Sequence, residues 1–101
     1  MTAKVRKSSR AEEDLINIWL YVAERDAGAA DRLLDRFEAR WQLLATQPRS
    51  GVRREDLGVG LRTVVIGEYL SVYRLEGNTI EIVRVLHGRR RITPSEMTDE
   101  G

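Results

Sequence analysis

Between Ser9 and Arg25 the apolar side chains Leu15, Ile18, Trp19 and Val22 recur at i, i+3, i+4 and i+7, one continuous stripe along an α-helix. Ser9 followed three positions later by Glu12 has the form of a capping box, and Glu13 and Asp14 add negative charge at the helix's positive end. Asp26, Ala27 and Gly28 break the pattern. A second helical stripe of Ala30, Leu33, Leu34, Phe37, Trp41 and Leu44 runs from about Ala29 to Thr46, with Arg32, Arg36 and Arg40 on another face. The short connection forces the two helices antiparallel, with their stripes facing one core. Trp19, Phe37 and Trp41 are therefore predicted in the core, and Tyr21, just off the stripe, at the surface.

On either side the period changes. Residues Ala3 to Lys7 alternate around Val5 and predict a short strand ahead of the helices. Pro48 and Gly51 end the helical section, and the stretch to Gly60 reads as an irregular basic loop with Arg49, Arg53 and Arg54. Leu61 to Ile66, Tyr69 to Leu75 and Thr79 to Leu86 are rich in β-branched and aromatic residues and predict three strands. Gly67-Glu68 and Gly77-Asn78 join them, each with glycine at the first central position of a two-residue turn, as a II′ hairpin requires. The predicted architecture is α+β: an N-terminal strand, an antiparallel helical hairpin and a three-stranded antiparallel meander, in the order β-α-α-β-β-β.

With 101 residues, 42% of them apolar, the chain can bury one modest core, so one domain is expected over residues 1–95. Residues 96–101 are polar and acidic and predict a mobile tail. No apolar run approaches the ~18 residues of a membrane span, and the polar, basic start has no signal core, which predicts a cytoplasmic protein. The absence of cysteine excludes disulfides, thiolate metal sites and cysteine nucleophiles; with a single histidine, neither metal nor cofactor is expected. The net charge of +1 hides an asymmetry: residues 47–95 carry 9 arginines against 5 acids. Every basic residue after Lys7 is arginine, whose planar fork suits phosphate and carboxylate, pointing to a polyanionic or acidic partner. Arginine content in a GC-rich genome is the bland alternative.

Several segments, taken in order, resemble the RelE/ParE toxin superfamily from about Ala3 to Thr93. They are Ser9 with the run Ala11 to Tyr21, Pro48 to Gly51, Asp56-Leu57-Gly58 leading into Leu61-Arg62, Tyr73-Arg74, and Val83 to Arg90. The resemblance implies the toxin of a type II toxin-antitoxin pair. RelE-like members are ribosome-dependent ribonucleases that use basic side chains on the sheet and an acid-base tyrosine or histidine near the end of the last strand. ParE-like members lack that full set and inhibit DNA gyrase. Either kind is neutralised by an antitoxin, here one resembling ParD, which would contact operator DNA on behalf of the pair.

Cleavage through a 2′-hydroxyl needs a base, an acid and cations around the phosphorane. Arg62, Arg74 and Arg84 lie on consecutive strands and would hold a phosphate if they shared one face; otherwise they are solvated and paired with Glu68, Glu76 or Glu81. His87 is a candidate acid-base group, although a lone histidine at a strand end is more often structural. No tyrosine follows it, which departs from the ribonuclease pattern. Arg89, Arg90 and Arg91 form a short positive run for an acidic antitoxin segment or the gyrase-DNA assembly, and with Arg62, Arg74, Arg84 and His87 they make up the predicted partner-binding set. The expectation is a gyrase-binding toxin with no catalytic residues of its own. The enzyme alternative is a ribonuclease using His87, Arg62 and Arg84, and a third reading is a degenerate toxin kept as a repressor partner. The hairpin is also expected to leave an apolar groove for the antitoxin's helix or strand.

Overall fold

The computed structural model describes residues 2–98. Strand β1 (Lys4–Lys7) is followed by helices α1 (Ser9–Ala23) and α2 (Ala27–Thr46), then β2 (Val52–Arg53), β3 (Leu61–Ile66), β4 (Tyr69–Glu76) and β5 (Thr79–His87), and a 3-10 turn at Pro94–Met97. The strands form one sheet in the order β1-β5-β4-β3-β2, with β1 parallel to β5 and the other pairs antiparallel. The α+β class, the helical hairpin and the β3-β4-β5 meander agree with the sequence pattern. β2 is an addition: the 47–60 loop contributes a two-residue edge strand opposite Thr63 and Arg62, too short to carry a periodic signal.

Ser8, rather than Ser9, caps α1. Its backbone is extended (φ −68°, ψ 163°), its Oγ accepts from Ala11 N, and the same hydroxyl donates to Val83 O, fastening the helix start to β5. Asp26 caps α2 through Ala29 N, which leaves a linker of three residues and holds the helices antiparallel. Gly67 and Gly77 have φ of +61° and +60°, and no described residue other than glycine has positive φ. That combination fits the II′ turn and excludes I′, which needs positive φ at both central positions.

The helical face of the sheet buries Phe37, Trp41, Leu44, Ile66, Tyr73, Ile80 and Ile82. Phe37 stacks on Trp41, whose indole N–H donates to the buried Ser71 hydroxyl at 2.8 Å, so this polar handle in the core is satisfied. Trp19 departs from expectation. It is half-buried at the edge of the hairpin, with its indole N–H on Asp31 at 2.8 Å, because α1 presses its Leu15 and Ile18 flank on the core and fully buries only Ala11.

On the opposite face Leu57, Leu61, Val72, Val83, Leu86 and Met97 form a second cluster, with Ile92 packed against it. Met97, 7% exposed, belongs to the fold, which corrects the placing of residues 96 and 97 in a tail: the 3-10 turn brings Met97 over the outer face of the sheet. Residues 99–101 lie outside the described residues. Among the described residues no helix is long and apolar enough to cross a membrane.

Candidate functional site

Alternation along the strands decides where the candidate arginines go. Arg62 pairs with Tyr73 and lies on the helical face. Arg74 pairs with Leu61 and Arg84 with Val72, both on the outer face. Of the two alternatives left open from sequence, the single-face cluster therefore does not form. Between Val72 and Tyr73 the β4-β5 register slips, with Val72 opposite Arg84 and Tyr73 opposite Ile82, so Val83 is an extra residue in β5. A bulge of this kind bends its strand and re-aims the neighbouring side chain.

The re-aimed side chain is Arg84. β1 stops opposite Ile82, and beyond it the open edge of β5 is covered by the start of α1. Arg84 reaches round this edge and donates through Nε and Nη2 to the two carboxylate oxygens of Asp14, at 2.7 and 2.9 Å. Asp14 also accepts from Val85 N at 2.9 Å, and Arg84 Nη1 donates to Glu96 O at 2.7 Å. The bond to Asp14 raises the Arg84 pKa further against the opposing cost of burial. With its guanidinium 7% exposed and its donors engaged, Arg84 holds the fold together and offers no arm to a phosphate.

Arg74 Nε stands 3.5 Å from Glu81, which also accepts from Arg6 at 2.7 Å. The partner is one of the acids weighed for it from sequence, but the contact is not a solvated one: Arg74 Nε is buried and makes no hydrogen bond, and Glu81 is largely buried.

His87 sits at the other end of the sheet from Arg62. It is half-buried, packs edge-on against Tyr69 with ring centroids 5.4 Å apart, and accepts at Nδ1 from Arg89 N. Along β4 their partners, Tyr69 and Tyr73, are four residues apart, or about 13 Å at the strand rise, too far for one phosphate to meet both. A groove of about 610 Å³ opens beside His87, lined among others by Asn17, Tyr21, Tyr69, Arg89 and Arg90. Burial, and after it the negative charge of Glu68, hold the Tyr69 hydroxyl above its ordinary pKa. Arg90 pairs with Glu96, whose carboxyl is held below its ordinary value first by Thr93 N and then by Arg90 and Arg84. Arg89 and Arg91 are exposed.

At the Arg62 end the decisive residue is Tyr73, which the sequence marked only as part of a motif. Its buried hydroxyl donates to Pro48 O at 2.8 Å and accepts from Gly51 N at 2.9 Å, clamping the loop after α2. Gly51 is required for that approach, since a Cβ there would lie 2.4 Å from the phenol oxygen. Burial keeps the Tyr73 pKa above its ordinary value despite the Gly51 bond. Arg62 Nη1 then donates to Arg49 O and Gly51 O, at 3.0 and 2.9 Å.

On the hairpin's outer side Leu15, Ile16, Trp19, Leu20 and Leu34 line an apolar groove, with Ile16 61% and Leu20 54% exposed. Tyr21 is exposed, as its place off the stripe implied. Among the described residues no three His, Asp or Glu side chains converge to hold a metal.

Comparison with known proteins agrees with this frame. Residues 5–92 match the family model described as ParE toxin of type II toxin-antitoxin system, parDE. Toxin ParE3 of Caulobacter vibrioides is 32% identical over 90 residues, spanning 88% of this chain and 90% of that toxin. Toxin ParE1 of the same organism is 37% identical over 84 residues (81% and 85%), and its Toxin RelE1 is 33% identical over 92 residues (87% and 96%). A chain of the chromosomal ParDE system of P. aeruginosa shares the fold with a TM-score of 0.71 at 20% identity, over 85% of this chain and 96% of that one.

Proposed function

This chain belongs to the ParE toxin family of type II toxin-antitoxin systems, and on that premise we propose that it arrests growth by binding DNA gyrase in the cytoplasm, without chemistry of its own. A ParD-like antitoxin neutralises it and carries the contact with operator DNA. The observation that carries this reading is the fate of Arg84. The ribonuclease alternative needs Arg62, Arg84 and His87 around one phosphate, whereas Arg84 is closed on Asp14 and Arg62 lies at the far end of the sheet from His87. Arg89, Arg90 and Arg91, beside the groove at His87, are the surface offered to partners, together with Arg62 and Arg74. The apolar groove at Trp19 and Leu20 supports the antitoxin reading, because it suits an amphipathic segment. The P. aeruginosa ParDE likeness supports a ParD-type partner in particular.

A second reading, RelE-type cleavage of messenger RNA on the ribosome, is favoured by one observation, the likeness to Toxin RelE1. Induction of the toxin alone in growing cells separates the two. Arrest with a DNA-damage response, relieved by co-expressing the antitoxin, is the expected result; arrest with ribosome-positioned cuts in messenger RNA and no DNA damage contradicts it.

A further inference from the structure

Arg49, Arg53 and Arg62 come from three separate segments, the loop after α2, β2 and β3, yet they line a single cleft of about 200 Å³ with Glu55. Glu55 is already engaged, accepting from Arg53 at 3.1 Å and from Gly60 N at 3.0 Å. Arg62 donates to two backbone carbonyls, which fix its guanidinium without neutralising it. Arg53 and Arg62 both act on the Glu55 carboxylate, and Arg49 lines the same cleft, so three arginines stand against one acid there. The cleft is also built in advance: Tyr73 clamps Pro48 and Gly51 on either side of Arg49, and β3 holds β2 in register. A preorganised concavity of arginine forks has the chemistry of an anion site, phosphate above all.

We infer that the Arg49, Arg53 and Arg62 cleft takes a backbone phosphate of duplex DNA. The assignment deepens the gyrase reading and rests on it for the choice of DNA, since a toxin bound to gyrase works beside the enzyme's DNA. Leu61 is buried and Leu75 is the other apolar residue of a mostly polar lining, which suits a phosphate backbone better than the side chains of an acidic peptide. Contact with phosphates rather than bases makes the binding insensitive to sequence and steeply dependent on salt.

The test is fluorescence anisotropy of the full-length toxin with a short labelled DNA duplex over a salt series, with no gyrase present. Arg49 and Arg53 are exposed, so the R49A/R53A double variant keeps the fold, checked by circular dichroism. It is expected to bind on the order of tenfold more weakly, with the slope of log affinity against log salt shallower by about 2. R32A/R36A, which removes the same charge from the exposed side of α2, is expected to stay within about twofold of the unmodified chain. No salt-dependent binding by the unmodified chain, or equal weakening in the two variants, overturns the assignment. So does tighter binding to single-stranded RNA of the same length or to a glutamate-rich peptide. Because gyrase is absent, a failure here leaves the gyrase reading standing, and DNA binding beside an indifferent gyrase removes that reading alone.

Discussion

Asp14 and Arg84 meet through two hydrogen bonds, of 2.7 and 2.9 Å, across 70 residues of sequence, and the same carboxylate accepts from Val85 N. The pair closes the edge of β5 that β1 is too short to cover. Breaking a buried pair from one side strands the other charge, so Asp14→Ala is expected to cost about 3 kcal/mol in urea denaturation. Arg84→Met should cost less, because Asp14 keeps Val85 N and is nearer to water than its partner. A loss below about 1 kcal/mol for Asp14→Ala contradicts the role given to the pair.

Tyr73→Phe removes both bonds that clamp the loop at Pro48 and Gly51. The expected cost is about 2 kcal/mol, with faster hydrogen exchange at Gly51 N. Gly51→Ala acts on the same contact by steric overlap with the Tyr73 ring, and its thermal unfolding should fall by a similar amount. Two variants that unfold like the unmodified protein mean that the clamp is not a source of stability.

The 3-10 turn is anchored by Met97, and Met97→Ala is expected to lower stability by about 2 kcal/mol. Glu96, held below its ordinary pKa of 4.5 by Thr93 N, Arg90 and Arg84, adds a pH dependence. A depressed carboxylate contributes stability above its unfolded pKa and loses it as pH falls through the folded one, so the turn should loosen at and below about pH 4.5. The Met97 methyl resonance reports this directly. Glu96→Gln should abolish the acid-side change, and a resonance that moves identically in the variant contradicts the assignment.

His87→Ala separates binding from cleavage. His87 touches Tyr69 and Arg89 N, and a toxin that acts by binding gyrase keeps its growth arrest within about twofold when this contact is trimmed. Arrest abolished in a variant with an unchanged unfolding midpoint supports the ribonuclease.

The repeating parts of the fold were legible. The stripe of α2, the alternation in β3 to β5 and the glycines of two turns are local patterns, and the structure follows them; the stripe of α1 holds except at Trp19, which is left half-buried at the edge of the hairpin. What escaped notice was not periodic. β2 has only two residues, and Met97 is a single apolar residue in a polar stretch that is buried only because a turn brings it back. Asp14 read as one of three acids at a helix start, since nothing local distinguishes a dipole-stabilising carboxylate from one that will meet an arginine 70 residues away. Whether the arginines share a face stayed open for a similar reason. Parity decides which face a strand residue takes, and the extra residue in β5 re-aims Arg84 without leaving a signature in the sequence.

The most direct test of the gyrase reading is a supercoiling assay with purified gyrase, relaxed plasmid and this toxin, with and without its antitoxin. Inhibited supercoiling or trapped cleavage complexes, reversed by the antitoxin, is the predicted result. Gyrase that supercoils at its normal rate in the presence of excess folded toxin contradicts it and moves the target to the ribosome.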